Sequence, residues 1–132
     1  MEHVGAQAAM FGRALADVYA DGGWAVYGDE GLYLVSTLGL GPELSVLWQQ
    51  GRSLAVSMLV AAQRPRHLPL AAYSQASHLY LFRTRDGYDA RRFAEIGGAD
   101  TEALRRIVGD LRKHEFAYVG PSGDIVISRV GA

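Results

Sequence analysis

The chain has 132 residues, enough for one domain that buries roughly two thirds of its unfolded surface. It has no cysteine, which excludes disulfides, thiolate metal sites and a cysteine nucleophile and suits a reducing, cytoplasmic compartment. The net charge of -1 hides an asymmetry: residues 1–50 hold one arginine and six acids (net -5), and residues 51–132 hold twelve basic and eight acidic residues (net +4). A basic second half can face phosphates, or it can simply be solvated helix faces. No basic start followed by a long apolar run marks a signal peptide. The longest apolar stretch, Leu54 to Ala62, is far short of the ~20 residues of a membrane span.

Gly5 to about Tyr19 carries Met10, Phe11, Leu15, Val18 and Tyr19 at helical spacing and predicts an amphipathic helix. Asp21-Gly22-Gly23 stops it. Trp24 to Tyr27 predicts a short buried strand, with Gly28 before the acids Asp29 and Glu30. Glu30 to Leu38 is ambiguous, and Gly39-Leu40-Gly41-Pro42 breaks the chain. Pro42 then opens a helix to about Gly51, with Glu43 near its positive end. Leu54 to Ala62 predicts a central strand, Pro65 to Pro69 a loop, and Leu70 to Gln75 one helical turn.

His78 to Phe82 predicts a third strand, followed by a charged loop from Arg83 to Gly87. Tyr88 to Ile96 predicts a helix broken by Gly97-Gly98. Asp100 caps the next helix, whose apolar face is Ala103, Leu104, Ile107, Val108 and Leu111. Glu115 to Val119, a turn at Gly120 to Gly123, and Asp124 to Val130 predict a β-hairpin. This order is that of an α/β fold with parallel strands.

Two apolar runs end abruptly in polar residues: WAVYG in Asp29-Glu30, and SMLVAA in Gln63-Arg64-Pro65. Parallel strands that deliver such groups to one sheet edge make a ligand site, because open α/β sheets bind ligands beyond the carboxyl ends of their strands. An aspartate there can hold hydrated Mg²⁺, and the adjacent glutamate can orient or deprotonate a water. Gln63 can hydrogen-bond a phosphate or its water. Taken singly, the acids also suit a helix start and the glutamine a turn.

The arrangement resembles the second half of the ATPase core of the FtsK/HerA group of P-loop motor ATPases. In that group a strand ends in the Walker B acids, and a helix leads to a Gly-Arg turn. The next strand ends in TQRP or AQRP, and a Ser-Gln segment precedes a strand ending near arginine. The matching residues are Asp29-Glu30, Gly51-Arg52, Ala62-Gln63-Arg64-Pro65, Pro69, Ser74-Gln75 and Leu79 to Arg83, a likeness covering about residues 10 to 96. The resemblance implies a partial, parallel-sheet P-loop NTPase-like core with a C-terminal β-hairpin, as a single domain over residues 1–132. Residues 24–65 would run from Walker B to sensor, and residues 88–130 would form the C-terminal helices and hairpin. It also implies ATP and Mg²⁺ as cofactors, both conditional on a Walker A segment supplied from outside this sequence, with Asp29 assisting Mg²⁺, Glu30 as catalytic carboxylate and Gln63 sensing the γ-phosphate. Arg52 would be a finger toward a neighbouring subunit, with Arg83 and Arg85 as further candidates. Arg52 at a helix end equally suits the helix dipole.

The sequence departs from that group in one respect: no G-x-x-x-x-G-K-[ST] occurs, and the sole lysine is Lys113. The phosphate cradle needs that loop's amides and its lysine. In the group, the phosphate-loop strand lies between the sensor strand and the next one, which here are Leu54 to Ala62 and His78 to Phe82. Its absence is expected to leave a gap in the sheet or to force those strands together, as in a truncated product or one half of a split ATPase. Two functions follow: part of an ATP-driven DNA-translocating motor, or a non-catalytic oligomerising or partner-binding remnant of one. A third reading is an unrelated small α/β domain. The expected partners are further copies or the rest of the ATPase, with DNA contacted through basic loops such as Arg64 and Arg66. The histidines at 3, 67, 78 and 114 lack metal-ligand spacing, and His78 is expected to pack. Tyr27, Tyr33, Tyr73, Tyr80, Phe82 and Tyr88 are expected mostly in the core.

Overall fold

The computed structural model describes residues 2–96 and 98–131. They form two compact units: one of residues up to Gln63 together with His67–Ala72, the other of Arg64–Arg66 together with Tyr73 onward.

The first unit opens with α1 (Glu2–Asp21). Val4, Phe11, Leu15 and Val18 are half-buried along one stripe, at the three-to-four spacing of a helix. Met10 and Tyr19, expected on that stripe, are exposed. The Tyr19 hydroxyl donates to Gln50 Oε1 at 2.8 Å. Gly22 ends the helix at φ +67, and a Cβ there would lie 2.6 Å from the Leu54 carbonyl oxygen, so only glycine lets these segments approach.

After β1 (Ala25–Gly28) the chain coils into a turn that becomes a π-helix at Tyr33–Thr37. Its wide turn shows in the bond from the Leu38 amide to the Tyr33 carbonyl, 2.9 Å. This irregular winding explains why Glu30 to Leu38 carries no clean period. Pro42 sits in the first turn of α2 (Gly41–Gln50), where its missing N–H costs nothing, and Glu43 lies beside it. Leu38, Leu40, Leu44, Leu47 and Val56 form the core of this unit.

The strand expected over Leu54 to Ala62 is shorter: β2 is Ser57–Val60, because Leu54 and Ala55 belong to the turn after α2. It pairs in parallel with β1, Ala25 opposite Ser57 and Gly28 opposite Val60. Only one face is covered. Val26, Met58 and Val60 point inward, while Tyr27 and Leu59 are 64% and 61% exposed. The expectations of a buried strand at Trp24 to Tyr27 and a central one at Leu54 to Ala62 are therefore corrected: among the described residues nothing lies over the second face.

A 3₁₀ turn (Pro65–His67) and α3 (Leu70–Gln75) follow. In the second unit, β3 (Leu79–Phe82) does not join a parallel sheet. It pairs antiparallel with β4 (Glu115–Val119), which pairs antiparallel with β5 (Ile125–Arg129). The reason is in its side chains: Leu79 and Leu81 face inward while Tyr80 and Phe82 face out, the alternation of a half-solvated antiparallel sheet. The expected hairpin is present as β4–β5. Of the aromatics expected in the core, Tyr73 is buried, Tyr33 is half-buried, and Tyr27, Tyr80, Phe82 and Tyr88 are exposed. His78 is also exposed, stacked on Tyr118 with its Nδ1 2.8 Å from that hydroxyl.

The inner face of this sheet packs under α5 (Thr101–Asp110), whose Leu104 and Val108 are fully buried with Phe93, Ala117 and Val119. Asp100 caps α5 as expected, accepting from the Ala103 amide at 3.1 Å. The break at the paired glycines holds at Gly98, which has φ +78; Gly97 lies outside the described residues. The expected helix over Tyr88 to Ile96 is α4 (Gly87–Ala90) continued as a 3₁₀ helix, Arg91–Glu95.

The Asp86 carboxylate caps α4, accepting from the amides of Tyr88 and Asp89 at 2.7 and 3.3 Å. Those two amides, with Arg64, hold Asp86 below the usual carboxylate range. Arg64 closes the cluster: its Nη2 lies 2.9 Å from Asp86 and 2.7 Å from Asp89, and its Nε donates to Asp89 at 2.8 Å. Asp89 is 2% exposed, so these bonds replace the water its carboxylate gives up on burial. Arg64 is thus committed within the protein and is not a free basic loop residue. Arg66 remains exposed, 3.7 Å from Asp89. Replacing Asp89 with alanine should cost about 1.5–3 kcal/mol of stability by removing charge-assisted bonds; chemical denaturation of the variant measures it.

Candidate functional site

The carboxyl ends of β1 and β2 lie side by side. The Ala61 amide donates to the Gly28 carbonyl at 2.9 Å, and the Gly31 amide donates to the Ala61 carbonyl at 2.9 Å. These two bonds carry the ladder one step beyond the strands, so Asp29 and Glu30 leave one strand where Ala61 to Gln63 leave the other. Asp29, Glu30 and Gln63 are all exposed there. The structure therefore brings together three of the four expected site residues at the edge where an α/β sheet takes its ligand.

Gly31, which sequence reading passed over, makes the approach possible. It is buried, and a Cβ there would lie 2.6 Å from the Leu68 side chain, 3.0 Å from Ala62 Cβ and 3.3 Å from the Ala61 carbonyl. Its signal was its place directly after the acid pair. Glu30 has φ +55, a left-handed conformation that L side chains adopt at a cost. The strain is held by a bond from its amide to Asp29 Oδ1 at 2.8 Å. Strained backbone of this kind gathers at functional positions, although Ala55 and His114 share it here.

Asp29 keeps its second carboxylate oxygen free of any bond within the described residues. Among them no group of three acids, histidines or cysteines can hold a metal. A single carboxylate can hold a hydrated cation such as Mg²⁺ only together with ligand phosphates and waters. The donor set does not fit a metal bound by the protein alone.

Arg52 lies elsewhere. It is exposed in the turn between α2 and β2, at the end where the strands begin. There the Gly23 amide bonds the Leu54 carbonyl and the Ser57 amide bonds the Trp24 carbonyl. It is thus at the opposite end of the sheet from the acids. In the second unit, Arg83 is exposed and Arg85 donates from Nε to the Gly109 carbonyl at 3.0 Å. Arg85 lines a cavity of about 310 Å³ with Arg105, Arg106 and Asp110.

Two substitutions test this geometry. Gly31→Ala should cost about 1–3 kcal/mol, since neither the Ala61 backbone nor Ala62 can move aside cheaply; thermal melting checks it. Glu30→Gly should gain up to about 1 kcal/mol by relieving the left-handed strain. A fall in melting temperature for that variant would mean that the Glu30 side chain supports the fold.

No family model matches the chain. It is 30% identical over 124 residues to the DNA packaging ATPase P9 of Enterobacteria phage PRD1, which covers 89% of this chain and 53% of that protein. The chain thus spans about half the length of the curated relative it matches. Among solved structures it superposes on B204, the DNA-packaging ATPase of Sulfolobus turreted icosahedral virus, with TM-score 0.65 and 19% identity, over 88% of this chain and 56% of that one. It also matches the genome packaging NTPase B204 of Sulfolobus turreted icosahedral virus 2 in complex with ATP-gammaS, with TM-score 0.64 and 16% identity, over 91% of this chain and 58% of that one. Among the described residues no helix is long and apolar enough to cross a membrane. The chain is therefore similar in sequence to a viral DNA-packaging ATPase, and it has, in part, the α/β fold of the packaging NTPases, with a parallel sheet and a C-terminal antiparallel hairpin.

Proposed function

We propose that this chain is the Walker B and sensor portion of an ATP-driven motor of FtsK/HerA type that moves DNA, as in the packaging of a viral genome. The observation that carries this reading is the meeting of Asp29-Glu30 with Ala61 to Gln63 at the carboxyl edge of two parallel strands. The similarity to a DNA packaging ATPase and the nucleotide-bound relative of the same fold support it.

In this reading Asp29 would be the residue that holds hydrated Mg²⁺. Mg²⁺, when bound with ATP, supplies charge neutralisation on the phosphates. Glu30 accepts a proton from the attacking water and fixes its direction. Gln63 hydrogen-bonds the γ-phosphate or that water. Arg52, at the far end of the strands from these groups, can act only on the nucleotide of a neighbouring subunit, so the finger role requires a homo-oligomer.

The phosphate loop is not among the 132 residues and would come from another stretch of polypeptide. Among the described residues β2 in the first unit has β1 as its one hydrogen-bonded neighbour, and β3 in the second has β4, so each presents an edge to which a strand can add. Parallel sheets are normally covered on both faces, and the exposed Tyr27 and Leu59 mark where a further helix would lie. The lack of a phosphate loop within this sequence also favours a second reading, a non-catalytic module that oligomerises or binds a partner.

The test is Glu30→Gln in a protein that carries this chain together with a phosphate loop. Turnover should fall about 10²–10⁴-fold, the usual contribution of a general base, while ATP binding stays. Unchanged hydrolysis would remove Glu30 from the chemistry.

A further inference from the structure

We propose that the outer face of the β3–β4–β5 sheet is a docking surface for single-stranded nucleic acid. This rests on the second unit alone and not on the ATPase reading. The strand register aligns Tyr80 with Tyr118 and Phe82 with Phe116. With His78, which stacks on Tyr118, these form a continuous ladder of five rings. Successive ring centroids lie 5.3 to 5.9 Å apart. The ladder faces solvent: Tyr80 is 56% and Phe82 51% exposed, with Val126 beside them.

Charge selects the occupant. The end of the sheet where β3 leaves and β4 enters carries Arg83, Arg112 and Lys113, all exposed and none in an ion pair among the described residues. Glu115, at the start of β4, alternates onto the face away from Phe116 and accepts from the Arg112 amide at 2.6 Å. Flat rings beside uncommitted cations suit a polyanion that also offers flat faces. A single strand provides both, stacking bases on the rings and laying phosphates on the cations. A duplex keeps its bases stacked inside and offers only the phosphates.

The experiment is fluorescence anisotropy of the full chain with a labelled oligothymidylate of about ten nucleotides. A parallel oligouridylate arm separates DNA from RNA as the source, and saturable binding of either supports the proposal. Affinity should fall steeply with salt. Tyr80→Ala and Phe82→Ala should each weaken binding about tenfold or more, while Tyr80→Trp keeps it, which separates stacking from folding. Joint replacement of Arg83 and Lys113 by alanine should flatten the salt dependence. Absence of saturable binding to both strands would overturn the proposal. So would a duplex that binds as tightly as the single strand, or sedimentation showing self-association that Tyr80→Ala abolishes, since a protein would then cover the face.

Discussion

The hydrogen bond from the Gly31 amide to the Ala61 carbonyl is the constraint on which the candidate site depends. Strand pairing ends at Gly28 and Val60, and without that further bond the two strand exits would be free to diverge. A side chain at position 31 would meet the Ala61 carbonyl, Ala62 and Leu68 at once, so the bond requires glycine. Its cost appears one residue earlier, where Glu30 sits in a left-handed conformation held by Asp29 Oδ1. Local strain, close backbone approach and an acidic pair thus belong to one construction. That construction aims the polar groups off the sheet edge instead of packing them.

Both sheets share a second property. Each is covered on one side: in the first sheet Val26, Met58 and Val60 are half-buried, and the second packs under α5 with Leu104 and Val108. Each leaves apolar or aromatic side chains in solvent on the other. Contiguous exposed apolar surface on a folded protein commonly marks a contact surface. The parallel sheet offers aliphatic and tyrosine side chains without clustered charge, which suits more polypeptide. The antiparallel sheet offers a ring ladder beside free cations, which suits a polyanion. The two faces thus differ in chemistry as well as in strand direction.

The helical and capping features were legible because their signals are local. Asp100 caps α5, and four of the five residues expected on its apolar face fall inside the helix, because one side chain and a 3.6-residue period fix both. The pairing of β1 with β2 was legible from two apolar runs with polar ends. What failed depended on distant partners. The outward rings of HLYLF were read as core, although strict alternation with Leu79 and Leu81 already showed a half-solvated strand. Arg64 read as a free basic residue because its partners, Asp86 and Asp89, lie more than twenty positions away. Gly31 gave no period or motif, and its role emerges only when the Ala61 backbone is seen against it.

In the proposed function this chain carries the acidic half of a nucleotide site, and its own residues do not cradle phosphates. Isothermal titration of the 132-residue chain with Mg-ATP tests this most directly. No saturable heat is predicted, because one exposed carboxylate pair and a glutamine offer no phosphate donors beyond Gln63. Saturable micromolar binding that Asp29→Asn weakens would contradict it, by showing a complete site within these residues.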